Sequence, residues 1–187
     1  MEVITKEELD GKITLITGPM FAGKSDKIIA LAEQFESVEA FKPAIHTRDG
    51  ETIRSRTGRE IPCHLVSDVA EIKNSQAQAV IIDEFQFIDV KQLKDILKYF
   101  KKERKTLIIA GLRKKDRTEY WPNYKLIKEK KYILIKKLEA RCEVCGEAAK
   151  YTYTNPEGTK RAIKRIAKFK TAREPRCGQC YDLILLE

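Results

Sequence analysis

A β-branched apolar run that breaks into a glycine-bounded loop limits what this 187-residue chain can become. Residues 12–17 read Lys-Ile-Thr-Leu-Ile-Thr and lead into Gly18-Pro19-Met20-Phe21-Ala22-Gly23-Lys24-Ser25. The run predicts a short buried strand. From residue 24 to 36, Ile28, Ile29, Leu31, Ala32 and Phe35 recur with helical spacing, so a helix follows. The loop matches G-x-x-x-x-G-K-[ST] in full, and a strand before it and a helix after it are the context in which that pattern binds phosphate. Its glycines let backbone N–H groups turn inward, Lys24 can neutralise β/γ-phosphate charge, and the Ser25 hydroxyl can ligate Mg²⁺. The helix opening at Lys24 points its positive dipole end at the same place. A turn that binds nothing is the bland alternative, and the flanking elements argue against it.

The rhythm continues downstream. Ala40-Phe41-Lys42 predicts a second strand that ends before Pro43, and residues 79–82, Ala-Val-Ile-Ile, a third that is closed by Asp83-Glu84. Val90–Lys101 has a helical pattern through Leu93, Ile96, Leu97 and Phe100, and Thr106–Ala110 predicts a strand stopped by Gly111. Alternation of this kind implies an α/β fold, a parallel P-loop sheet with helices on both faces. Asp83 then supplies the strand-end carboxylate that holds Mg²⁺ through its waters, in a Walker B pattern. Adjacent residues at a strand end point to different sides, so Glu84 need not share the metal and can take a proton from an attacking hydroxyl. A solvated acidic turn is the alternative, but ligands of open α/β sheets sit at this carboxyl end.

Past about residue 139 the texture changes to four cysteines, many basic residues and little periodicity. The expected division is therefore 1–138, a nucleotide-binding domain, and 139–187, a small metal-clamped lobe. Cys142-Glu-Val-Cys145 and Cys177-Gly-Gln-Cys180 supply four thiolates for one structural Zn²⁺, a closed shell with no open position for catalysis. A redox dithiol competes, but duplicated pairs are the metal signature. Cys63 is left over and reads as a buried apolar residue. The chain carries +9 overall, and nine basic against three acidic residues between Cys145 and Cys177 hold +6 of it. No apolar run approaches the ~20 residues a membrane span needs. The N-terminus is polar, without a secretory apolar region, so the expectation is a soluble cytoplasmic protein.

Together, the G-P-M-F-A-G-K-S loop, Asp83-Glu84-Phe85-Gln86-Phe87, and two C-x-x-C pairs around a long loop resemble the zinc-bearing type II thymidine kinases, from about residue 11 to 182. Phe41-Lys42-Pro43 followed by Arg48 is similar to the family's F-K-P…R segment. The resemblance implies that Gly18–Ser25, Arg48, Asp83 and Gln86 handle ATP and Mg²⁺. It implies that Glu84 is the base for a nucleoside 5′-hydroxyl and that Cys142, Cys145, Cys177 and Cys180 bind zinc. It also implies a lasso closing over the nucleoside and a homotetramer. Departures fall on the base-reading segments. Arg113 and Asp116 stand where the family has Asp and a stacking Phe; Ala167-Lys168-Phe169 replaces I-G-G, and Arg173 replaces a Tyr. Base stacking is worth ~1–3 kcal/mol, so Phe169, Tyr151, Tyr153, Tyr120 or Trp121 is needed as a substitute. Three functions follow. The first is a kinase for thymidine or deoxyuridine. The second is a diverged kinase whose Arg113, Lys114, Lys115 and Arg173 meet another nucleoside or a nucleotide. The third is a P-loop ATPase whose basic loop binds nucleic acid.

Overall fold

The structure, a computed structural model, describes residues 4–45, 49–154 and 173–183. The predicted first strand is β1 (Ile13–Thr17), buried along its whole length. Around it the described residues form a six-stranded parallel sheet. Its other members are β2 (Val38–Pro43), β5 (His64–Val66), β6 (Ala79–Ile82), β7 (Thr106–Gly111) and β8 (Ile133–Lys137), in the order β5-β2-β6-β7-β1-β8. Leu15 lies opposite Ile109 on one side and Ile135 on the other. Side chains alternate between two cores, as period two requires. Leu15, Val80, Ile82, Leu107 and Ile109 face α3 (Ala70–Asn74), α4 (Val90–Glu103) and α5 (Pro122–Lys128). Ile16, Ile81, Ile108 and Ala110 face α2 (Lys24–Ala32) and the short α1 (Lys6–Leu9). Both faces are covered, which is why the strands read as continuous apolar runs.

Helix α4 shows how local sequence sets an element. The Asp89 carboxylate accepts from the Lys91 and Gln92 N–H groups at 2.9 and 3.2 Å, capping the start. Leu93, Ile96, Leu97 and Phe100 form the buried stripe, and Arg104 ends the helix in a left-handed conformation, φ 50°. Two expected ends differ from the structure, and one edge strand was not anticipated. Helix α2 ends at Ala32 rather than 36, because the Gln34 and Phe35 N–H groups bond back three residues to Leu31 and Ala32. That tighter turn tucks Phe35 into the core. Strand β2 runs through Pro43, since a last residue can lack its N–H, and Ala44 resumes the ladder by donating to the Val66 carbonyl at 2.9 Å. Strand β8, hidden in a lysine-rich stretch, is the edge strand beside β1.

A hairpin, β3 (Thr52–Arg54) with β4 (Glu60–Pro62), packs on the α2 side, where Ile53 and the leftover Cys63 are buried. No helix among the described residues is long and apolar enough to cross a membrane.

Beyond β6 the chain makes a 3₁₀ turn, Phe85–Phe87, that depends on one buried side chain. Asn123, at the start of α5 and 2% exposed, donates from Nδ2 to the Phe85 and Ile88 carbonyls at 2.9 and 2.7 Å. Asn123→Ala strips partners from both carbonyls, and each orphaned group costs about 1–3 kcal/mol. Urea denaturation should show a loss of at least the lower figure. A change within error would mean that Asn123 does not hold this turn.

Candidate functional site

The loop expected to bind phosphate joins β1 to α2. Gly18 is a glycine by necessity, because a Cβ there would lie 2.5 Å from the Leu138 carbonyl oxygen. Gly23 turns with φ 76° into the helix, and Phe21 adopts φ 66°. Lys24 opens α2, and its ammonium donates to the Pro19 and Gly18 carbonyls at 2.8 and 3.3 Å. The half-buried Ser25 follows in the first helical turn. Pro19, Met20 and Ala22 complete the loop. The Met20 N–H donates to the Thr152 hydroxyl at 2.9 Å, and Ala22 packs on the cysteine cluster.

From β6 comes Asp83, 7% exposed, whose N–H donates to the Phe41 carbonyl at 3.0 Å. Its carboxylate accepts the Glu84 N–H at 2.9 Å. Glu84 takes φ 55°, a left-handed conformation uncommon for a non-glycine residue, which turns its side chain away from the line of the strand. There its carboxylate accepts from Gln86 Nε2, and the Gln86 Oε1 accepts the Leu112 N–H at 3.0 Å. Gly111 leaves room for that amide, since a Cβ at this position would lie 2.2 Å from Gln86 Oε1. The four groups therefore share one place. Burial pushes the Asp83 carboxyl up to about 7, with the Glu84 charge adding to the rise, against its bond from Glu84 N–H and the charges of Lys24 and Lys42. Burial pulls the Lys24 ammonium down, and Glu84 and Asp83 oppose that. A P-loop cation and two strand-end carboxylates in electrostatic contact can bind a metal–polyphosphate and receive a proton.

The four cysteines of the C-x-x-C pairs also meet. Their sulfurs all lie within 4.8 Å of one another, and Cys145 Sγ stands 3.6 Å from Cys177 Sγ. Tetrahedral zinc with Zn–S bonds near 2.3 Å separates sulfurs by about 3.8 Å, so the set fits that ion. The thiols perturb one another. Burial raises Cys142, but N–H groups of Cys177, Cys145 and Val144 outweigh it and hold that thiol down at about 6. Cys180, hydrogen-bonded to Cys145 and Cys177, is pushed up to about 12. Four sulfurs this close can hold one metal ion between them.

The cysteine lobe is tied to the sheet at several points. At the junction with the lobe, the Leu138 N–H just after β8 donates to the Thr17 carbonyl at 2.7 Å. Arg117 pairs with Asp182 and donates to the Gly178 carbonyl at 3.3 Å, reaching the helix Gly178–Leu183. Arg113 donates to the Lys150 carbonyl at 3.4 Å. Asp116, at the usual place of a stacking Phe, closes its own loop instead by accepting the Thr118 and Glu119 N–H groups at 2.7 and 2.8 Å. Arg173 lies beside the P-loop, with Nη1 3.9 Å from Met20 Sδ. Of the candidate aromatics, Tyr151 and Tyr153 pack on Tyr181, and Tyr120 stacks on Tyr124. Trp121 makes an edge contact with Phe87, 5.7 Å between centroids. Arg48 and residues 167–169 lie outside the described residues. Sequence reasoning missed Asn123, Gly111 and Thr152 as supports of the site. The break at Gly111 was visible, but nothing in the sequence pairs it with Gln86.

The family model for thymidine kinase matches residues 11–181. A thymidine kinase of Ureaplasma urealyticum is 33% identical over 161 residues, which cover 79% of this chain and 71% of that one. One of Mesomycoplasma hyopneumoniae is 30% identical over 95% of this chain and 99% of its own length. One of Mycoplasma capricolum is 32% identical over 91% and 88%.

The electrostatics of Asp83 yield a stability test. Its carboxyl is raised from the usual 3.8 to about 7, so the folded chain holds that proton more tightly than the unfolded chain. Stability is therefore lost as pH climbs through the window between these values. Asp83→Asn keeps an acceptor for the Glu84 N–H and removes the buried charge. In magnesium- and nucleotide-free buffer at pH 8 its thermal midpoint should exceed that of the native protein, and the difference should shrink toward pH 4. A lower midpoint at pH 8 would show that the Asp83 charge is not a burden to the fold.

Proposed function

The chain belongs to the thymidine kinase family, and we propose that Lys24, Ser25, Asp83 and Glu84 are where it moves a phosphoryl group. It is an ATP-dependent nucleoside kinase, a transferase of the thymidine kinase type. In this reading, the backbone of Gly18–Ser25 cradles the β- and γ-phosphates and Lys24 draws their charge. The Ser25 hydroxyl and the waters on Asp83 would hold Mg²⁺. A divalent ion held by these residues would supply positive charge against the negative charge that develops in phosphoryl transfer. Glu84, aimed by its left-handed backbone and the Gln86 amide, takes the proton of the nucleoside 5′-hydroxyl as that oxygen attacks the γ-phosphorus. ADP leaves as the P–O bond to its β-phosphate breaks.

The acceptor is thymidine or deoxyuridine. Arg48 acts near the phosphates. Residues 1–138 carry the phosphoryl chemistry, and 139–187 carry the zinc clamp and lasso. Cys142, Cys145, Cys177 and Cys180 hold a structural Zn²⁺. By family resemblance the assembly is a homotetramer in the cytoplasm. The relatives do not favour a nucleic-acid-binding ATPase.

One observation carries this reading, namely that the P-loop lysine and two carboxylates of another strand act on one another's charge. A phosphoryl-transfer assay with ATP, Mg²⁺ and a nucleoside panel tests it. Glu84→Gln keeps shape but cannot accept the proton, so it should bind ATP and nucleoside nearly as the native protein does and turn over ~10²–10⁴-fold more slowly. A loss in kcat under about threefold would remove Glu84 from the role of base. Metal analysis should find about one zinc per chain. Zinc-free protein with four thiols reactive at neutral pH would count against the clamp.

A further inference from the structure

The β3–β4 hairpin carries three arginines, and two have carboxylate partners. Arg54 pairs with Glu60 at 2.9 Å across the hairpin, and Arg59 with Glu33 of the α2 C-cap at 2.6 Å. Arg56, at the tip, pairs with no carboxylate among the described residues. Its guanidinium instead lies over the ring of Phe21, 3.6 Å from the centroid, in the middle of the phosphate loop.

The tip that presents it is built and anchored. Ser55 N–H donates to the Arg59 carbonyl at 2.8 Å, and Arg59 N–H donates to the Ser55 hydroxyl at 3.1 Å. Gly58 supplies the φ of 89° that the turn requires. At the hairpin's base Ile53 is buried beside α2, and Lys42 Nζ donates to the Thr52 carbonyl at 2.9 Å. Thr57 donates to Asp26, the residue after Ser25. The tip is thus fixed over both the phosphate loop and the first turn of α2.

Polarity of the site decides what the guanidinium meets. In the kinase reading above, phosphate bound in the loop would turn its γ end toward Asp83 and Glu84, the proposed metal-holding and base residues. The first turn of α2, over which Thr57 holds the tip, then faces the other phosphates. Resting on the kinase reading above, we infer that Arg56 contacts the α- and β-phosphates of the ATP donor. In that reading Lys24 and the Mg²⁺ held by Ser25 and Asp83 meet the β/γ charge, which leaves the negative charge on the α side to a further cation. A guanidinium grips two phosphate oxygens at once, and a ring-stacked one is held in place by a weaker contact that phosphate can displace.

Equilibrium titration of the full zinc-loaded chain with ATP and ADP tests the assignment. Arg56→Ala should weaken both by about 10–100-fold, as loss of a charge-assisted contact does. Thymidine affinity should stay within twofold and the thermal midpoint of the ligand-free protein should not move, because the Arg56 side chain is exposed. Arg56→Lys should recover part of the loss. Arg54→Ala on the same hairpin should bind ATP as the native chain does. ATP affinity within twofold of native in Arg56→Ala would overturn the inference. So would an equal loss in Arg54→Ala, which would point to diffuse charge. A fall in midpoint that Arg56→Lys does not restore would assign Arg56 to packing on Phe21 and equally overturn it. If the native chain transfers no phosphoryl group, the kinase reading itself has failed; a working native chain with an unaffected Arg56→Ala sinks this inference alone.

Discussion

Two carboxylates share the reach of a single P-loop ammonium at the carboxyl end of the sheet, and much of the fold exists to keep them there. Left to itself the arrangement is unfavourable. Burial and mutual repulsion push the Asp83 carboxyl up, and burial pulls Lys24 down. Only a rigid frame can hold groups that would otherwise separate or neutralise. The frame is the parallel pairing of β1, β7, β6 and β2, whose side chains are locked into two cores on opposite faces. Lys24 leaves from β1 and Asp83 from β6, with β7 between them, so no local segment could bring the pair together.

Fine positioning falls to polar groups and missing side chains. The left-handed backbone at Glu84 re-aims its carboxylate, Gln86 links it to β7, and Asn123 holds the turn in between. Gly18 and Gly111 are sites where backbone or amide approaches closer than any Cβ permits. These features cluster at the functional end of the sheet.

The alternation of strand and helix was legible because period-two burial on both faces leaves uninterrupted Val, Ile and Leu runs. The P-loop, the Asp83-Glu84 pair and the four-cysteine set were legible for a different reason, since each is a short motif whose chemistry depends on local spacing. Strand β8 was not, because as an edge strand only partly buried it tolerates the lysines that disguise it. Nor was Asn123, whose partners are 38 and 35 residues away. Asp116 was readable as a departure, but only the structure shows it capping its own loop. A motif can announce its chemistry, whereas a single buried amide announces nothing until the chain has folded around it.

The bond from Met20 to Thr152 spans 132 residues, and Leu138 closes on Thr17 from almost as far along the chain. Synthesis runs from the N-terminus, so the phosphate loop emerges before the residue that completes it. Until the cysteine lobe has left the ribosome, the Met20 amide lacks its hydroxyl partner. A nascent chain of this protein therefore carries the signature loop without its completed geometry until the lobe that supplies Thr152 has been made.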